Sequence, residues 1–203
     1  MIPNQIFDFV WFNKADSDIL SMVKTLSSQA FRTGQTARSF NLKGVDGKTY
    51  SLDDFDSRSV LVIFICNHCP YVKARIGDLI ELQRKFSGQE FRIVGINSND
   101  PDYPDEGFDN MVKFSESYNL NFPYLIDDTQ SVARQYGAVC TPDPFLLDNQ
   151  KRLVFHGRIN DAMEPGALPK IPVMENNIRK ILEGKALDHD FDPSVGCSIK
   201  WKD

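Results

Sequence analysis

The chain has 203 residues, 41% of them hydrophobic, enough for one sizeable core. A net charge of −5 gives no basic excess, which argues against nucleic-acid binding. No window approaches the roughly 20 apolar residues of a membrane span, and the first residues lack the basic start and apolar stretch of an export signal. The expectation is one domain, 37–185, with an N-terminal extension, 1–36, and a C-terminal tail, 186–203, packed on it. A cytoplasmic location with no membrane contact follows from the same features. Four cysteines are too few for a disulfide scaffold. In a reducing compartment a close pair points to redox chemistry or metal.

In chain order, Ile19, Leu20, Met22, Val23 and Leu26 recur near helical spacing, with Asp16 or Ser17 as N-cap. "ARSFNLKGVDGKTYSLDDF" predicts a β-hairpin turning at Asp46-Gly47. Strands and helices then alternate. Val60 to Ile65 is a buried strand and Tyr71 to Phe86 a helix. Phe91 to Ile96 is a second core strand, followed by a helix over Asp109 to Tyr118. Pro123 to Ile126 is a strand and Gln130 to Tyr136 a short helix. Phe145 to Asp148 and Leu153 to Gly157 form a hairpin around Asn149-Gln150, and Pro169 to Glu183 is a closing helix. From Lys185 on there is no clear period. Such alternation implies an α/β fold, a central mixed sheet with helices on both faces.

The chemistry gathers where the first core strand meets its helix, in Cys66-Asn67-His68-Cys69-Pro70. Two thiols three residues apart can close a small disulfide and reopen it. A helix N-terminus stabilises a thiolate, and a protonated His68 adds positive charge. A stabilised thiolate favours the reduced form and makes the disulfide a better oxidant. Pro70 suits a first helical turn. These features assign Cys66 as the exposed, low-pKa attacking thiol and Cys69 as the inner, resolving one. Half of a zinc site is the competing reading, but Cys140, Cys197, His156 and His189 form no second close pair. Downstream, a cis Thr141-Pro142 bond beside the dithiol would present the Thr141 backbone to an extended substrate.

Together, "CNHCP" after an apolar strand, "TPDPFLLD" and a hairpin ending in "GRIND" resemble the thioredoxin superfamily. The branch is the one with a central insertion that includes peroxiredoxins. "CNHCPYV", "INSND" and a terminal "GCSIKW" make the chain most similar to bacterial thioredoxin-like proteins, over residues 35 to 203. The resemblance implies a thioredoxin-like fold and a thiol-disulfide oxidoreductase. Cys66 would be its nucleophile, Cys69 its resolving thiol and Pro142 its cis-proline. It implies a disulfide substrate, protein or small molecule, a thiol electron donor, and neither cofactor nor metal.

Two alternatives are a thiol peroxidase and a non-catalytic redox sensor. The peroxiredoxin pattern Pro-x-x-x-Thr-x-x-Cys fails in both registers. Counting back from Cys69 gives Cys66 and Val62 in the threonine and proline places; counting back from Cys66 gives Ile63 and Ser59. Pro142 stands where that family has its peroxide-polarising arginine. Outside the site, Cys140 is expected as a small core residue and Cys197 as a tail-docking one. His156 is expected to be structural, and Arg158 and Asp161 to pin the hairpin. The acidic loop 97–110 is read as solvated, in preference to a hard-cation site.

Overall fold

A computed structural model describes residues 24–88 and 90–203. The strands are β1 Lys24–Leu26, β2 Asn41–Gly44, β3 Thr49–Ser51, β4 Ser59–Phe64, β5 Phe91–Asn97, β6 Tyr124–Ile126, β7 Cys140–Thr141, β8 Asp143–Asp148, β9 Leu153–Gly157, β10 Phe191–Asp192 and β11 Val195–Ser198. The α-helices are α1 Pro70–Phe86, α2 Phe108–Tyr118, α3 Ser131–Tyr136 and α4 Val173–Leu182. An eight-stranded mixed sheet has the order β10-β9-β8-β4-β5-β6-β2-β3, and a small second sheet has the order β1-β11-β7.

Strand β4 sits at the centre because all six of its side chains are apolar or small and all are buried. It pairs parallel with β5 and antiparallel with β8. Its two-residue period splits the core. Leu61 and Ile63 join Ile76, Leu79 and Phe86 of α1 and Met174 and Ile178 of α4 in one cluster. Val60, Val62 and Phe64 join Val132, Ala133 and Tyr136 of α3 with Phe40 and Leu52 in the other. Helices therefore cover both faces, and β4 aims its C-terminal end at the Cys66 turn.

The N-terminal β-hairpin forms with Asn41, Leu42 and Lys43 opposite Ser51, Tyr50 and Thr49. The anticipated N-terminal helix lies outside the described residues, except at its end. There Lys24–Leu26 is a strand, not helix, because it lies alongside β11 with Thr25 opposite Gly196. The tail also departs from the patternless reading: β10 extends the main sheet beside β9, and β11 is the middle strand of the small one. Both strands are too short for a period, and their partners are remote in sequence.

Candidate functional site

Helix α1 begins at Pro70, with Cys69 as its extended N-cap residue. The helix field therefore acts most directly on Cys69, one turn of chain after Cys66. Thr141 touches both sulfurs: its hydroxyl lies 3.0 Å from Cys66 Sγ, and its carbonyl accepts from Cys69 Sγ at 3.2 Å. The Thr141-Pro142 bond is cis. Cys66, His68, Cys69 and Thr141 are thus together at one turn, with Pro142 next in chain.

Both thiols are fully buried, so Cys66 is not the exposed member of the pair. Its proton is also held. Burial pushes the Cys66 thiol up, helped by its hydrogen bond to Cys69 and by the negative charges of Cys69 and Glu106; only the Thr141 hydroxyl opposes. At Cys69 burial also disfavours the thiolate. There, hydrogen bonds from Cys197, Cys66 and the Val72 backbone outweigh it and hold the thiol far below its ordinary value. The expected assignment of the low pKa to Cys66 is therefore reversed. The two shifts run in opposite directions, so the pair titrates together with the thiolate favoured at Cys69 over Cys66.

The remainder of the site comes from the acidic loop between β5 and α2, which does not point its carboxylates only to solvent. Glu106 is 3% exposed. Its Oε1 accepts from the Asn67 and His68 backbone N–H groups at 3.0 and 3.2 Å and lies 2.5 Å from His68 Nδ1. Its Oε2 accepts from Asn97 Nδ2 at 2.6 Å. Asn97 and Asn67 in turn meet at the Tyr124 hydroxyl. The loop reaches this position through Gly107, where φ is +82° and a Cβ would stand 2.9 Å from the Pro101 carbonyl. Nothing in the linear pattern singles Glu106 out from its acidic neighbours; only its inward turn does. His68, expected to lend positive charge to the thiols, is instead paired with this carboxylate, and the Tyr103 ring lies 4.9 Å from its own. Cys66, His68 and Glu106 each offer a ligand atom within 4.8 Å of the others. The carboxylate is already engaged by four hydrogen-bond donors, which defines its role as the anchor of the Asn67-His68 turn.

The edge of Thr141 expected to receive a substrate is taken by the chain's own tail. β11 pairs antiparallel with β7, Cys197 opposite Thr141 and Ser198 opposite Cys140. Gly196 permits this approach, since a Cβ there would lie 1.9 Å from the Thr141 carbonyl oxygen. Cys140 is a buried thiol, 4.0 Å from the Ser194 hydroxyl. His156 bonds Asp143 at 2.7 Å with both side chains fully buried, Arg158 pairs with Asp192, and Asp161 accepts from the Lys170 and Ile171 N–H groups.

A family model described as the AhpC/TSA family matches residues 33–156, more than half of the chain, from before the hairpin into β9. The chain belongs to the AhpC/TSA family. Among curated relatives it is similar to a thiol-disulfide oxidoreductase of Halalkalibacterium halodurans, 24% identical over 123 residues, 61% of this chain and 66% of that protein. It thus spans just under two thirds of that relative's length. A solved structure of an uncharacterized conserved protein from Geobacillus kaustophilus is 39% identical, covering 89% of this chain and 97% of that one at a TM-score of 0.81. The thioredoxin domain of a thiol-disulfide oxidoreductase from Bacteroides vulgatus matches at a TM-score of 0.61. It is 20% identical and covers 75% of this chain and 99% of that one. The AhpC/TSA chain has the thioredoxin-like α/β fold.

Proposed function

We propose that the protein is a thiol-disulfide oxidoreductase that uses Cys66 and Cys69 to reduce or exchange disulfides of a protein or small molecule. The observation that carries this reading is the juxtaposition at Thr141: one residue contacts both sulfurs of the pair at the start of α1. The curated relatives bearing that activity in their names support it. A peroxidase reading is less well supported, because neither Cys66 nor Cys69 is preceded by the peroxiredoxin pattern Pro-x-x-x-Thr-x-x-Cys, and Pro142 stands where that family has its peroxide-polarising arginine.

In the reduced centre, Cys66 shares its proton with the Cys69 thiolate. As Cys66 attacks one sulfur of the substrate disulfide, its proton passes to Cys69 and the other substrate sulfur leaves as thiolate. That thiolate takes the proton, and Cys69 attacks Cys66 in the mixed disulfide. The second substrate sulfur departs, and Cys66–Cys69 is oxidised. Electrons return from a thiol donor in a reducing compartment such as the cytoplasm, with no organic cofactor. The cleft beside Pro142, lined in part by Tyr71, Arg75 and Val195, encloses about 20 Å³, room for one water.

The test is insulin disulfide reduction with a thiol donor. Wild type should accelerate it, and Cys66→Ser and Cys69→Ser should not. With glutathione disulfide, Cys69→Ser should accumulate a mixed disulfide on Cys66. Equal turnover by Cys66→Ser, or trapping at another cysteine, would overturn the roles of attacking and resolving thiol.

A further inference from the structure

A third thiol stands against the pair. Cys197 Sγ lies 2.8 Å from Cys69 Sγ, and all three cysteines are fully buried. Closing that gap to a disulfide bond of about 2.05 Å takes less than an ångström of movement. Cys197 is not brought there by a loose tail. Its strand is the middle one of three, with β1 on one edge and β7 on the other. Ser27 N–H donates to the Ser194 carbonyl and Ile199 N–H to the Val139 carbonyl, both at 3.0 Å. On the far side, Asp100 N–H donates to the Lys200 carbonyl at 2.7 Å, and Lys200 N–H donates to Asn99 Oδ1 at 2.9 Å. The last two bonds tie the tail to the loop that carries Glu106. Gly196 completes the seat, because any side chain there would collide with Thr141.

We propose that Cys69 and Cys197 form a second redox pair, so that the oxidised centre moves its disulfide from Cys66–Cys69 to Cys69–Cys197 and returns Cys66 to the free thiol. This inference rests on the dithiol reading above. Cys197 Sγ attacks Cys69 Sγ, the Cys66–Cys69 bond breaks, and the proton leaving Cys197 is taken by Cys66. One S–S bond is made and one broken, and no external oxidant is consumed. The substrate disulfide has already supplied the oxidation. Attack at Cys69 is the step the positions favour, since Cys197 Sγ lies 2.8 Å from Cys69 Sγ and Thr141 holds Cys69 and Cys66 at the same turn. The result is an oxidising equivalent held inside the protein, with β11 covalently tied to the N-cap of α1 while Cys66 is freed for a second encounter. The tail residues that looked patternless in the sequence thus supply a resolving sulfur.

The experiment is non-reducing tryptic mapping after equilibration of the full chain with glutathione disulfide and acid quenching. Cys66 and Cys69 share one peptide, 59–73, and Cys197 lies in another, 186–200. Wild type should give some linked peptide pair. Cys66→Ser should give it at least tenfold more than Cys69→Ser does. A Cys66→Ser protein with no linked pair, or one no richer in it than Cys69→Ser, overturns the proposal. Wild type itself keeps the two readings apart without relying on either variant's fold. An internal disulfide in peptide 59–73 with no link to 186–200 sinks only the second pair. A link to 186–200 with no internal disulfide at any degree of oxidation sinks the dithiol reading instead.

Discussion

Two buried histidine–carboxylate pairs stand in this molecule, and they do different work. His156 and Asp143 join β9 to β8 at 2.7 Å, with both side chains at zero exposure and the imidazole stacked 4.0 Å from the Phe145 ring. His68 and Glu106 join the Cys66 turn to the loop after β5 at 2.5 Å. The first pair is locked between neighbouring strands in register. Burial raises the Asp143 carboxyl, and His156 and Ser194 offset only part of that. The second pair bridges segments fixed by little regular structure, and its carboxylate also acts on a thiol. The same chemistry is therefore a pin in one place and a latch in the other. The difference lies in what surrounds each pair: a sheet around one, a loop and a reactive sulfur around the other.

The largest expected effect breaks the pin. Asp143→Ala leaves His156 buried without its partner and should cost about 3–5 kcal/mol. Chemical denaturation should show the loss, while the Cys66–Cys69 potential of the folded fraction stays unchanged. A small loss would mean that this pair is not structural.

Glu106→Gln probes the latch. It removes a negative charge that holds the proton on Cys66 and should raise the reduction potential. Every unit by which a thiol pKa falls is worth about 30 mV for a two-electron couple. Alkylation of Cys66 should also quicken as the loop loosens, for a stability loss of about 1–3 kcal/mol. A lower potential would reject the role of Glu106 in holding that proton.

His68→Pro should act oppositely and more weakly. It leaves the Glu106 charge uncompensated, so the potential should fall by about 10–30 mV in glutathione buffers. An unchanged or higher value would show that His68 does not offset Glu106.

The last expectation concerns pH dependence. A depressed folded pKa, that of Cys69, adds stability that is full above the unfolded thiol value of about 8.5 and is lost as pH falls toward the folded one. The raised values of Cys66 and Cys197 add stability below about 8.5 that is lost above it. Reduced protein should therefore gain stability from pH 6 to about 8.5, by no more than about 1.4 kcal/mol per pH unit, and lose it beyond. Cys69→Ser should abolish the rise. A flat thermal-melt profile for reduced wild type would place the charge elsewhere.

The latch and the pin were not equally legible in the sequence. Periodicity located β4, α1, β5, α2 and the β8–β9 hairpin to within a few residues, because each buries a continuous apolar face. The spacing of Cys66 and Cys69 at a strand-to-helix junction marked the place of the chemistry. The charge on Cys69 rather than Cys66 was not legible, because it depends on donors from Cys197 and from the helix itself. Glu106 carries no pattern of its own, and its partners Asn67 and His68 are nearly forty residues away. β1 is a strand because β11 lies beside it, and β11 because β1 and β7 flank it. A helical spacing of apolar residues yielded there to pairing between the two ends of the chain.

The most direct test of the central claim is the redox titration of the Cys66–Cys69 pair. Reduced and oxidised protein would be equilibrated across glutathione buffers, acid-quenched and mapped. A two-electron transition is predicted, in which oxidation gives an internal disulfide in peptide 59–73, absent from Cys66→Ser and Cys69→Ser, in exchange with the link from 59–73 to 186–200. A pair that forms no internal disulfide in any buffer, or a Cys69→Ser protein that titrates as wild type does, would contradict the account.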